Sequence, residues 1–219
     1  MRMTRPVRDI ALSIHVIASV GWIGALGVFL AHALAGLFST DEQVVRAMYM
    51  AMSISAWFVI LPLSVAAFAT GVIQALGTAW GLFRHYWIVF KLVMTITATV
   101  VLLMKLAPIS YLAEMAAQPT FSSTDLLGLR TSTMLHAAGG VIVLVLIIGL
   151  AILKPRGLTP YGAWKQDQKV QTDTASGDGL MQGTPRWVKA FAVISAIIVL
   201  MIGAMLLSGV HGPSAHMPH

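Results

Sequence analysis

The chain has 219 residues, 58% hydrophobic and only 10% charged, with a formal net charge of +6 and no cysteine. A soluble domain carries about 25% charged residues, so this composition excludes an ordinary soluble fold. The missing cysteines exclude disulfides, iron–sulfur clusters, thiolate zinc sites and thiol redox chemistry. The basic residues flank apolar stretches, so the positive charge reads as a membrane-orientation signal rather than a nucleic-acid footprint.

Five apolar stretches follow in chain order, at 10–36, 47–77, 87–106, 131–153 and 187–209. Each is long enough for the roughly 18–20 apolar residues that cross a bilayer core of about 30 Å. The runs are continuous and do not alternate, which argues against a β-barrel. The expected fold is therefore an all-α integral membrane bundle of five transmembrane helices. Residues 1–153 read as a four-helix membrane core, 154–186 as a flexible cytoplasmic loop, 187–209 as a fifth span and 210–219 as a His-rich external tail. The N-terminus, with Arg2, Arg5 and Arg8, resembles a signal-peptide n-region. The apolar run after it, at about 27 residues, is too long for a signal h-region of about 7–15, and reads as a retained first span.

Lysine and arginine in the loops set orientation. Eleven of the basic residues fall on the N-terminal side and three, Arg46, Lys105 and Arg130, on the other. The expectation is N-in and C-out in a bacterial inner membrane. Trp80, Tyr86, Trp87 and Trp187 fall at the cytoplasmic interface, where amphipathic rings settle. Trp22 and Trp57 fall near the middles of spans one and two. Pro62 predicts a kink in span two. The segment 155–185 is rich in Gln, Thr, Asp, Gly and Ser and reads as a loop. No internal repeat supports an inverted-repeat transporter.

Function is carried by the few polar side chains at membrane depth, since such groups are costly and compensated. All eight acidic residues lie in loops or at span ends. His15, Lys91 and His85 fall in an inner layer; His32 and His136 fall in an outer layer. The two layers are separated by about 25 Å along span one. His15 and Trp22 share one face of span one, while His32 is turned about 100° away. Gly139 and Gly140 follow His136 by three and four residues and clear space on its face. Imidazole is an axial ligand of haem iron, and bundle cores build such sites from facing helices. A lysine ligates only as the neutral amine. The expectation is b-type haem held by His15 with Lys91 or His85 opposite, and by His136 with His32 in a second site. Trp22, Gly139 and Gly140 would be its walls. Simple packing of these histidines and snorkelling of Lys91 to headgroups are the plain alternatives, and Lys105 reads as snorkelling. His211, His216 and His219 in the tail suit loose binding of copper or zinc.

The run Ile14-His15-Val16-Ile17-Ala18-Ser19-Val20-Gly21-Trp22-Ile23-Gly24 resembles a first-helix pattern of small bacterial membrane proteins. That group includes the copper-resistance D family, the HemJ-type protoporphyrinogen oxidase and related families of unknown function. Trp87-Ile88-Val89-Phe90-Lys91-Leu92 resembles its third-helix pattern, and the likeness covers roughly residues 10–153. The resemblance implies haem binding through His15 and Lys91. The HemJ type carries Pro and Arg at the end of its first helix, where this chain reads Gly27-Val28-Phe29-Leu30-Ala31-His32, so the resemblance leaves the oxidase activity open. Three roles are compatible with these features: a redox or haem-handling membrane protein with a membrane redox partner, a copper-handling protein, and a cofactor-free accessory subunit of a membrane complex.

Overall fold

The computed structural model describes residues 3–77, 81–122, 126–155 and 157–173, with only scattered positions beyond. The predicted fifth span at 187–209 and the tail histidines His211, His216 and His219 thus lie outside the described residues, apart from those positions. Among the described residues the chain is helical throughout. Helix α1 runs Arg5–Phe38. The second span is one continuous helix, Glu42–Gly77, made of α2 (Glu42–Ser55), a π turn (Ala56–Ile60) and α3 (Leu61–Gly77). Helices α4 (Tyr86–Ala116) and α5 (Leu127–Leu153) follow, then a short α6 (Pro160–Asp173).

Four of these segments are long and apolar enough to cross a membrane, which makes this a multi-pass membrane bundle. Only about a fifth of each apolar window is buried inside the protein, 17% to 22%. The remaining apolar surface, such as Ile17, Phe58 and Ile142, faces outward, as expected where hydrocarbon replaces water. The helices contact one another round a ring: α1 with α2 and α3, the second span with α4, α4 with α5, and α5 with α1. Spans one and three are therefore diagonal, as are spans two and four. The proximal end of the bundle carries the N-terminus and α6; the distal end carries the loop at 39–41 and the described residues 117–122.

Local chemistry explains the boundaries. Pro6 occupies the first turn of α1, where its missing N–H costs nothing. Asp41 caps α2 by accepting from the Gln43 amide at 2.9 Å. The π turn sits just before Pro62. The Leu61 amide reaches back five residues to the Ala56 carbonyl, which relieves the clash that a proline creates with the carbonyl four residues earlier. The disturbance read at Pro62 is thus a π turn. Helix α4 continues ten residues past the predicted end at 106, through Pro108. Ile109, Leu112 and Ala116 are all buried and keep the helical spacing of the core face, so packing against α2 outweighs the proline. The Arg46 Nη2 group ties the next loop down by donating to the carbonyls of Pro119 at 2.7 Å and Phe121 at 3.0 Å.

The segment expected to be a loop contains α6. Its start docks on the 83–86 turn. The Thr159 amide donates to the Arg84 carbonyl at 3.1 Å, its hydroxyl donates to the Phe83 carbonyl at 2.5 Å and accepts from the Gly162 amide at 3.0 Å. Gly162 lies so close to the Arg84 carbonyl that a Cβ there would overlap it. Gly162→Ala is therefore expected to undock α6 without disturbing the spans. Limited proteolysis of the detergent-purified protein should show faster cleavage within 154–173, and an unchanged cleavage rate would contradict the docked geometry.

Candidate functional site

Helices α1, α4 and α5 and the π turn enclose a mostly apolar cavity of about 110 Å³ in the distal half of the bundle. Its walls include Trp22 and Phe29 from α1, Ile60 from the π turn, Leu102 and Lys105 from α4, and His136, Gly139 and Gly140 from α5. Trp22 and Phe29 are each only 4% exposed. They lie seven residues apart, about two helical turns, which puts both rings on the inward face of α1.

His136 is fixed in one tautomer. Its Nδ1 lies 2.7 Å from the Ser132 carbonyl one turn earlier, an oxygen that can only accept, so Nδ1 carries the proton. Nε2 is then the bare lone pair. It is buried and has no hydrogen-bond partner among the described residues. A buried unpaired imidazole nitrogen is costly, and an Nδ1–H held by a backbone carbonyl is how metal-ligating imidazoles are oriented. Gly139 has open space where a side chain would be, whereas Gly140 is covered by Leu26, whose Cδ2 would lie 2.9 Å from a Cβ there. The two glycines expected to clear space thus behave differently. Only Gly139 leaves space open, and the room over Gly140 is filled by a leucine that has rotamers to turn away.

The proximal group is arranged differently. His15 Nδ1 lies 3.0 Å from Thr70 Oγ1 on α3, and that hydroxyl spends its own proton on the Ala66 carbonyl at 2.6 Å. That geometry lets His15 Nδ1 donate to the hydroxyl, and the imidazole also meets the Ala67 carbonyl. The ring packs on Gly71, where a Cβ would meet its Cε1 at 3.1 Å. Lys91 Nζ stands 5.9 Å over the Trp87 ring, a cation–π contact, and its charge acts on His15. His85 precedes α4 as its N-cap residue, with its ring 6.5 Å from that of Trp87. His15, Lys91 and His85 thus lie toward the same end of the bundle, with His15 anchored on the second span. His32 does not line the cavity; its Nδ1 is buried without a partner among the described residues. Trp57, expected mid-membrane, faces outward and donates to Ser110 Oγ at 3.0 Å.

Two groups escaped the sequence reading. Lys105, read as snorkelling, lines the same cavity as His136 and acts on it electrostatically. Lys105 lies eleven residues from the distal end of α4 and His136 nine from that of α5, about 16 and 14 Å of helix; with span three read as ending at 106, the sequence hid that match. Arg130, counted as a loop charge, is 1% exposed. Its Nε donates to the Tyr49 hydroxyl at 2.9 Å and its Nη2 to the Gly36 carbonyl at 2.6 Å. Gly36 is required there, since a Cβ would meet Tyr49 Cζ at 2.8 Å. Among the described residues no cluster of three or more His, Cys, Asp or Glu is placed to hold a metal ion. Comparison with known proteins finds no matching family model, curated protein or solved structure.

Proposed function

We propose that this is a bacterial inner-membrane protein that binds b-type haem in its helical bundle and serves a redox or haem-handling role beside a membrane redox partner. The observation that carries the reading is His136: a tautomer-fixed imidazole with a bare, buried Nε2, beside a cavity walled by Trp22 and Phe29. Neutral imidazole nitrogen is the donor that haem iron takes axially. Apolar and aromatic walls suit a flat macrocycle and exclude water. The donor and the walls fit the group. The space fits in part: about 110 Å³ is room for about three or four waters, so a porphyrin enters only when the helices part or Leu26 turns off Gly140. When bound, the haem supplies one-electron chemistry. His136 would hold the group through Nε2, its Nδ1–H would keep the ring on the Ser132 carbonyl, and the apolar walls would keep water away. His15, with Lys91, is the second candidate position, at the proximal end.

Oxidised and dithionite-reduced spectra of the detergent-purified protein, with pyridine haemochrome quantitation, test this. The expected result is a Soret band with sharp reduced α-bands at about one haem per chain, or two if the proximal group also loads. A colourless protein after expression with haem supplied would sink the reading.

The full topology within this proposal is five spans, N-in and C-out, resting on the basic-residue asymmetry. An alkaline phosphatase fusion after His219 should be active and one after Lys165 inactive. The reverse pattern would overturn the orientation, and activity at neither site would remove the fifth span.

A further inference from the structure

Lys105, half-buried and eleven residues from the distal end of the apolar helix α4, lies on the wall of the His136 cavity with no hydrogen bond or ion pair among the described residues. Such a cation is expensive unless a counter-charge is supplied. The protein's own described carboxylates are elsewhere. Asp9 pairs with Arg8 at 3.3 Å, Asp41 caps α2, and Glu42 begins it. Glu114 is on α4 itself, but nine residues further on, about 13 Å along the axis and half a turn round the helix. The same cavity is lined by His136, whose Nε2 is buried without a partner among the described residues, and by apolar walls and two aromatic rings. From this juxtaposition we propose that the cavity takes an apolar molecule bearing a carboxylate, with the carboxylate on the Lys105 ammonium and the apolar body against Trp22 and Phe29.

Two sources supply that chemistry: the propionates of haem, in which case the inference rests on the haem reading above, and a fatty acid entering from the bilayer. The three-donor ammonium suits a carboxylate as a charge-assisted partner. Neither source needs a further basic residue.

The test compares haem with haem dimethyl ester, which keeps the iron and the ring and lacks the carboxylates, in titrations of the purified apoprotein followed at the Soret band. The wild type should bind haem about tenfold more tightly than the ester, the worth of one good charge pair. Lys105→Gln should bind both equally, at the wild type's affinity for the ester, and Lys105→Arg should restore the preference. Equal binding of both by the wild type would overturn the proposal while leaving His136 and haem untouched. If neither porphyrin binds, the haem reading fails. The same three proteins are then titrated with cis-parinaric acid and its methyl ester. A preference for the acid that Lys105→Gln removes supports the fatty acid as source. No such preference assigns Lys105 to lipid headgroups and overturns the carboxylate site.

Discussion

His136→Ala should remove the haem chromophore of the distal cavity, leaving purified protein with less than about a tenth of the wild-type haem and an unchanged far-UV helical signature. On the proposed reading, His136 Nε2 would be the chain's bond to the iron. Alanine retains the helix, being the best helix former, and deletes the only nitrogen donor on α5 that borders the cavity. Gly139 and the Ser132 carbonyl remain in place, so a lost spectrum reports the missing ligand and not a collapsed wall. His15→Ala serves as the counterpart. If His15→Ala removes the haem and His136→Ala leaves it, the site belongs to the proximal group with Lys91. Loss of half the haem in each variant would mean two haems, one per end. Retention of full haem by both variants would refute axial ligation by either imidazole.

The largest effect on stability is expected at Arg130. Its guanidinium joins three spans: the Gly36 carbonyl near the end of α1, the Tyr49 hydroxyl on α2, and its own helix α5. The Tyr49 ring also lies under it, 5.3 Å from the guanidinium carbon. Hydrogen bonds from a charged donor contribute about 1.5–3 kcal/mol each, and removing the donor leaves its acceptors unsatisfied. Arg130→Leu should therefore cost about 3–5 kcal/mol, seen as a markedly lowered midpoint of thermal unfolding in detergent. Tyr49→Phe loses one acceptor and keeps the ring, and should cost about 1–2 kcal/mol. An Arg130→Leu protein that melts with the wild type would show that this cluster does not hold the distal end together.

Membrane character, helix number within residues 1–153 and the approximate position of each span are legible in the chain, because a bilayer demands about 20 apolar residues per crossing and this depends on composition alone. The depth of each histidine is legible for the same reason: a fixed rise per residue converts sequence position into height. That places His15 and Lys91 at similar heights, toward the same end of the bundle. The extension of α4 through Pro108, the π turn before Pro62 and the helix at Pro160–Asp173 are not legible, because each depends on contacts between distant segments. Azimuth is where sequence reading gives out. Every helix here is apolar on nearly all sides, so no polar face announces which way a side chain turns. Lys105 therefore read as a headgroup seeker and Arg130 as a loop charge, although one lines a cavity and the other is buried beneath Tyr49. Composition by itself determined that the chain lives in a bilayer and at what height its few polar groups sit. Only the ring order of the four helices decided which of those groups share a space, since neighbours round a bundle are set by packing between segments far apart in the chain.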